Sequence, residues 1–144
     1  MPANLPVRPI LTAICLPLLA MGLTACATTT SVTGFKGEER EAAQTVSNLQ
    51  ADATAGEEKK ICVEDLAAPL VVKLGGAKTC EAAVKSQLGE TDGLAVTVHS
   101  VQLSTTGGHR TAVAQVSSIY SGKSAPSKLT LAREAGKWRI SGLQ

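Results

Sequence analysis

Few side chains in this sequence could move protons, and they are scattered along the chain. Glu64 and Asp65 are adjacent carboxylic acids, Tyr120 carries a phenol, and His99 and His109 carry imidazoles. A carboxylate base working with a hydroxyl donor is a common arrangement for proton transfer. We expect both acids to lie exposed on the flank of a helix, and both histidines to face solvent. The sequence therefore predicts no catalytic residue and no enzyme.

The remaining candidates for a site also favour structural roles. Trp138 could form the wall of a ligand pocket, but a single tryptophan in a closing strand is more often part of the core. The hydroxyls at residues 104–106 have no base nearby to activate them. No phosphate-binding loop, HExxH or GxSxG motif occurs. Ligand-binding residues therefore stay unknown, and no cofactor or metal is predicted.

The four cysteines have separate predicted fates. Cys15 lies within an apolar run and Cys26 follows that run directly. Cys62 and Cys80, 18 positions apart, are left as an even pair. In an oxidising compartment such a pair favours a disulfide, which would stabilise the fold by about 3 kcal/mol. Two buried free thiols or half of a metal site are the alternatives, although the chain has no CxxC motif and its histidines are distant in sequence.

Residues 1–25 have the pattern of an export signal. Arg8 is the only charged residue before Lys36, and an apolar stretch of about 14 residues follows it, whereas a membrane span needs roughly 20. The stretch ends in Leu23-Thr24-Ala25-Cys26, which resembles the lipobox of bacterial prolipoproteins. In that family the cysteine receives a diacylglyceryl group and becomes the mature N-terminus. The alternatives are an ordinary secretory signal with an incidental cysteine and a degenerate anchor that is never cleaved.

The lipobox resemblance implies where the protein resides. It implies lipidation at Cys26, acyl chains such as palmitate, and an extracytoplasmic position on the cell membrane. Because Ala27 and not Asp follows the cysteine, the outer membrane is a possible location in a cell with two membranes.

Length and composition restrict what the exported part can be. The chain has 144 residues, 2% aromatic residues and a formal net charge of +2. This length predicts one domain. The near balance of charge and the lack of aromatic residues argue against nucleic acid as a partner.

Beyond the signal, residues 26–37 are rich in Thr, Ser and Gly and are predicted to be a flexible tether. Residues 38–144 are predicted to form the domain. Apolar residues spaced three and four apart indicate a helix from Glu38 to about Ala53. A solvated turn is expected at residues 57–60, followed by a second helix from Ile61 with a break near Pro69. A third helix, capped by Thr79, is expected to run to about Leu88.

From Leu94 the apolar period changes from four to two, which predicts strands. A phase shift indicates a bulge near residues 99–100, and Gly107-Gly108 indicates a hairpin. A strand over residues 110–120 is followed by a predicted turn over residues 121–127 that includes Pro126. A final hairpin is expected about Gly136. Helices followed by four antiparallel strands predict an α+β fold.

This pattern resembles the nuclear transport factor 2 superfamily, which includes ketosteroid isomerase. More narrowly it resembles small actinobacterial lipoproteins with that fold. The resemblance depends on the lipobox, Phe35 and the helix after it, the segment Ile61–Leu70, Cys80 and the closing residues 137–143. It implies a cone in which N-terminal helices pack on a curved four-stranded sheet.

No catalytic residues of that superfamily map onto this chain. The fold hosts enzymes, binders and scaffolds alike, so it does not decide the function. We expect a non-enzymatic envelope lipoprotein that acts through protein contacts. The alternatives are a binder of a lipid or small apolar ligand in the cone cavity and, less favoured, an isomerase-like or dehydratase-like enzyme.

Overall fold

A computed structural model describes residues 31–89, 95–120 and 123–144, apart from the side chain of Tyr120. The predicted signal peptide, Cys15, Cys26, Leu94 and the first residues of the turn at 121–127 lie outside the described residues. The helices are α1 (Gly37–Ala55), α2 (Glu58–Lys60), α3 (Ala68–Lys73) and α4 (Ala77–Gly89), and a π-helical turn (Ile61–Asp65) separates α2 from α3. The strands are β1 (Ala95–Thr106), β2 (His109–Tyr120), β3 (Lys123–Glu134) and β4 (Lys137–Leu143).

The four strands form an antiparallel meander in the order β1-β2-β3-β4. Helices that precede and pack on this sheet confirm the predicted α+β class. The register of β1 against β2 shifts between Val98 and Ser100, so the predicted bulge falls at His99. The β3–β4 hairpin turns through Ala135 and Gly136, both with positive φ, which suits the right-handed twist of the strands.

One sheet face and the helices enclose the core. Helix α1 contributes Ala42, Ala43 and Val46 to it, and the sheet contributes alternate residues of all four strands. This alternation is the expected result when one face of an antiparallel sheet is buried. The buried sheet residues are Val96, Val98, Val101, Ala112, Ala114, Val116, Leu129, Leu131, Trp138 and Ile140.

Two residues of the predicted tether also contact the core. Val32 and Phe35 are partly buried against it, and the Phe35 amide donates to the Val32 carbonyl at 3.3 Å. Packing therefore begins inside the segment 26–37 that composition alone marks as flexible.

The predicted solvated turn at residues 57–60 is wrong, because residues 58–60 form helix α2. Gly56 caps the C-terminus of α1, with a left-handed φ of 68° and an amide that donates to the Ala53 carbonyl. The Glu57 amide then donates to the Asp52 carbonyl at 2.9 Å. This closure turns the chain sharply enough for a new helix to start at Glu58.

The segment after Ile61 is broken as predicted. The Leu66 amide donates to the Ile61 carbonyl at 3.0 Å, a five-residue spacing that widens this turn into a π-helix. Leu66 and Ala67 are extended, and α3 restarts with Pro69 in its first turn, where a missing amide hydrogen is harmless. Helix α4 begins at Ala77, so the prediction that Thr79 caps it is wrong.

The prediction that Pro126 lies in a turn is also wrong, because Pro126 pairs with Ser117 inside β3. Lys128 exchanges both backbone hydrogen bonds with Gln144, so its N–H faces the β4 side of the strand. The nitrogen of Pro126, two residues earlier, faces the same side beyond the last β4 pairing. No ladder bond is lost there, which is why the strand tolerates proline.

Candidate functional site

A cleft of about 660 Å³ opens between α1, the π-helical turn and the start of β4. Helix α1 supplies one wall, the π-helical turn supplies the acids, and the β3–β4 turn supplies the opposite side. It is lined by Gly37, Arg40, Glu41, Gln44, Thr45, Asn48, Glu64, Asp65, Gly136, Lys137 and Trp138. Most of these side chains are polar or charged.

Helix α1 lines the cleft with a stripe of polar side chains, which lies beside the apolar residues that it contributes to the core. Glu41, Gln44, Thr45 and Asn48 recur at three- and four-residue spacing, so they share one helix face. The Gln44 amide donates to Asn48 Oδ1 at 3.0 Å. The buried Thr45 hydroxyl donates at 3.3 Å to the Trp138 carbonyl, which fixes α1 against β4. The helix thus packs on the sheet and lines the cleft at once.

Asp65 lies at the base of the cleft, and it is not exposed as the sequence interpretation expected. Only 4% of it is accessible, whereas its neighbour Glu64 is exposed at the cleft edge. The wider π-helical turn ends at Asp65 and places it on the same buried side as Ile61 and Cys62. The earlier expectation of exposure is correct for Glu64 and wrong for Asp65.

Asp65 shares its buried surroundings with Asp52 of α1. One oxygen of Asp52, Oδ1, accepts a hydrogen bond from Lys60 Nζ at 2.8 Å. Among the described residues, the Oδ2 atoms of Asp52 and Asp65 are buried without a hydrogen-bond partner. Two ionised carboxylates only accept hydrogen bonds, so they leave each other unsatisfied until one of them carries a proton.

Burial raises the pKa of Asp65 from its ordinary value of 3.8 to about 7. The negative charge of Asp52 and a hydrogen bond with Asp52 contribute to this rise, and the Lys60 ammonium acts in the opposite direction. The hydrogen bond to Asp52 in turn raises the pKa of Lys60. Near neutral pH, Asp65 is therefore present in both protonated and ionised forms.

Trp138 forms another part of the cleft wall. It is 4% exposed, and in the described part of the chain its indole Nε1–H has no acceptor. The Arg133 guanidinium lies 5.9 Å from the ring centroid, and Arg133 is itself paired with Glu38 of α1. The sequence interpretation placed Trp138 in the core or in a pocket wall, and the structure shows that it is both.

The remaining candidate side chains that the structure describes do not line the cleft. His99 is exposed at the bulge, where its Nε2 lies 2.6 Å from Ser117 Oγ, and His109 is exposed at the β1–β2 turn. The hydroxyls of residues 104–106 are exposed. The side chain of Tyr120 and the predicted lipidation site Cys26 lie outside what the structure describes.

Cys62 and Cys80 form a disulfide in the structure, with an S–S distance of 1.94 Å and a Cα–Cα distance of 6.1 Å. Both residues are buried. The bond joins α4 to the π-helical turn, which carries both Cys62 and Asp65. It therefore restrains the acidic side of the cleft.

Sequence reasoning missed the burial of Asp52 and Asp65, although a signal for that burial was present. Asp65 lies four residues after Ile61 and three after Cys62, so it shares their helical face. Asp52 likewise lies seven residues after Thr45, on a buried face of α1. Two acids at apolar-face positions of neighbouring helices could have been assigned to the interior.

The arrangement can hold a polar ligand and exchange a proton with it. Asp65 can accept or donate a hydrogen bond according to pH, and the indole N–H can only donate one. Among residues 31–89, 95–120 and 123–144, no group of three His, Cys, Asp or Glu side chains could hold a metal ion. In the same residues, no helix is long and apolar enough to span a membrane.

No protein-family model and no curated protein matches this sequence. Among solved structures, the chain is similar to an NTF2-like designed protein, a substituted form of Rd1NTF2_05, at 16% identity and a TM-score of 0.48. That alignment covers 72% of this chain and 94% of the other. The Kfla4162 protein from Kribbella flavida aligns at 12% identity with a TM-score of 0.38, over 71% of this chain and 90% of the other. The α+β class itself follows from the helices and the four-stranded sheet described above.

Proposed function

We propose that this chain is a lipid-anchored extracytoplasmic binding protein that holds a small polar ligand in the cleft and is not an enzyme. One observation carries the binding role. Trp138, whose side chain lines the cleft, has a buried indole N–H without a partner among the described residues, and the buried Asp65, which also lines the cleft, hydrogen-bonds a second acid, Asp52. A buried polar group without a hydrogen bond costs about 1–3 kcal/mol, so a ligand that supplies the missing partners gains that free energy.

The lining favours a polar ligand over a lipid chain. The α1 wall is a stripe of charged, amide and hydroxyl side chains, and the apolar residues of the same helix are committed to the core. Acyl chains bind where mostly apolar side chains surround them. A lipid or small apolar ligand is therefore the less favoured occupant.

The non-enzymatic part of the proposal is supported by the surroundings of the candidate groups. The His99–Ser117 pair resembles a base beside a nucleophile, but both residues lie on the exposed face of the sheet. Within the described residues, no acid hydrogen-bonds the second nitrogen of His99, as catalytic pairs of this kind require.

A second candidate function is contact with another envelope protein. Val63 is 53% exposed and Val72 is 73% exposed. Both lie along a groove of about 480 Å³ beside the Cys62–Cys80 disulfide, together with Leu66 and Val71. Exposed apolar side chains that share a groove are typical of a contact surface for another protein.

The cleft proposal can be tested through Trp138, the single tryptophan of the chain. We expect the indole N–H resonance of the purified full chain to shift when the polar small-molecule fraction of its host's envelope is added. Gln44→Phe, which narrows the cleft, should abolish the shift. Ala51→Phe places the same ring on an exposed part of α1 outside the cleft and should leave the shift intact. A shift that only the lipid fraction causes, or that Gln44→Phe leaves unchanged, would contradict the proposal.

A further inference from the structure

The buried charges beneath the cleft are unequal in number. Asp52 and Asp65 are two acids in close contact, and Lys60 is the cation that pairs with them, through Asp52. Lys60 is itself half exposed and also lies 3.6 Å from Glu57. With both acids ionised, their two negative charges would face the single positive charge of Lys60, which leaves one negative charge unbalanced. Without a ligand, a proton on the pair balances that charge.

Asp65 lines the cleft, whereas Asp52 does not. A cation in the cleft can therefore reach Asp65 directly and take the place of the proton. An ammonium group suits this position because it donates up to three hydrogen bonds and brings one positive charge. It would take over the role of the proton that Asp65 shares with Asp52.

Trp138 gives an independent second requirement. Its buried Nε1–H needs an acceptor, and none of the described residues provides one. An ammonium group cannot accept a hydrogen bond, so the ligand must also carry an oxygen acceptor. Two exposed cations, Arg40 and Lys137, lie along the same cleft and favour an anionic oxygen there.

We propose that the cleft binds a small zwitterion, with its ammonium group at Asp65 and an anionic oxygen toward Trp138 Nε1–H and the cations at the cleft edge. This inference rests on the proposed binding function and names the class of its ligand. Free amino acids and the phosphoethanolamine headgroup of a lipid share this chemistry. The cleft's mixture of acids, bases and one indole donor matches the two ends of such a molecule.

Binding of this kind releases a proton. Ligand binds to ionised Asp65, and the proton that this carboxyl shared with Asp52 leaves to solvent. The other charged groups facing this site are Asp52 and Glu41 of α1, Lys60 of α2, Glu64 of the π-helical turn, Arg40 of α1 and Lys137 of β4. Because the pKa of Asp65 is about 7 and the ligand binds its ionised form, affinity rises with pH and is about tenfold weaker at pH 6 than at pH 8.

The test uses the full chain and three matched probes. β-Alanine carries both charged ends, propylamine carries the ammonium alone, and propionate carries the carboxylate alone. We expect β-alanine to shift the Trp138 indole resonance with at least tenfold higher affinity than either half. Calorimetry in two buffers of different ionisation enthalpy should show proton release near pH 7. Vesicles with and without phosphatidylethanolamine then distinguish a lipid headgroup from a free zwitterion as the source.

Asp65→Asn should remove the response to β-alanine, whereas Glu39→Gln removes a negative charge from an exposed position of α1 outside the cleft and should retain it. If Asp65→Asn does not fold, proton release by the unmodified chain still decides the matter. Tighter binding of propionate than of β-alanine, or binding without proton release, would overturn the zwitterion and leave the binding role intact. If envelope extract also fails to shift the resonance, the proposed function itself is wrong.

Discussion

At the scale of single residues, folding buries the carboxyl of Asp65 at a cost in free energy. Its carboxyl is buried beside a second acid, and its pKa is raised to about 7. An acid whose pKa is raised by folding binds more protons in the folded state than in the unfolded state. The folded state is therefore favoured while Asp65 is protonated, and this contribution is lost as the pH rises through about 7.

This cost predicts a pH-dependent effect of Asp65→Asn. Asparagine cannot ionise, and its amide can donate a hydrogen bond to Asp52. The variant therefore avoids the free-energy cost of ionising a buried carboxyl, which the native chain incurs at high pH. Between about pH 5 and about pH 8, the free energy of unfolding of the native chain should fall by about 2–3 kcal/mol relative to the variant. Urea unfolding at both pH values, with Glu39→Gln as the control, measures this change. A difference between native chain and variant that does not vary with pH would contradict the assignment.

The two acids also show where sequence reasoning stops at this scale. The residue types and their helical positions were visible, and so was the possibility that Trp138 lines a pocket. The short α2 and the π-helical turn could not be predicted from the sequence. Both depend on which backbone carbonyls the amides of Gly56 and Leu66 donate to. Without that geometry, nothing in the sequence places Asp65 against Asp52.

At the scale of elements, the strands were easier to predict than the helices. The bulge at His99 and the turns at Gly107-Gly108 and Gly136 follow from a period of two and from glycine. Pro126 was misassigned to a turn because prolines are common in turns. In the structure, the pairing of β3 with β4 ends before Pro126, so the proline nitrogen needs no hydrogen-bond partner there. That fact concerns strand length, which depends on the tertiary structure and not on local propensity.

At the same scale, the packing of α4 depends strongly on a single covalent bond. Cys80 is its one buried residue, and Ala83, Val84 and Leu88 are only half-buried. The disulfide to Cys62 therefore supplies much of the attachment between α4 and the π-helical turn. Loss of this bond should loosen α4 before it disturbs the sheet.

We expect the double variant Cys62→Ser/Cys80→Ser to lose about 3 kcal/mol of stability. Hydrogen exchange should accelerate in α4 and the π-helical turn more than in β2, since β2 lies inside the sheet. Thiol labelling of the denatured, unreduced native chain checks the premise and should find Cys62 and Cys80 protected. Two labelled thiols at those positions, or equal acceleration in α4 and β2, would refute this account.

At the scale of the whole molecule, Val32 and Phe35 place the start of the packed domain close to the predicted lipidation site. Only a few residues separate Cys26 from Val32, the first of these core contacts. At about 3.3–3.6 Å per residue, a fully extended segment of that length reaches roughly 20 Å. An anchor at Cys26 would therefore hold the domain near the lipid surface.

That geometry gives the lipid anchor a direct test with a matched control. Cys26→Ser should prevent lipidation and leave the protein soluble or unprocessed, because a serine hydroxyl cannot form the thioether that carries the acyl chains. Cys15→Ser changes the same residue type inside the apolar run and should leave the protein in the membrane fraction. Membrane fractionation, with mass spectrometry of the N-terminus, separates the outcomes. One acyl chain gives only marginal membrane binding, so stable attachment requires at least two chains. The N-terminal mass should therefore include at least two acyl chains. If Cys26→Ser is still processed and bound to membranes, the chain is held there by some other part and the anchor belongs elsewhere.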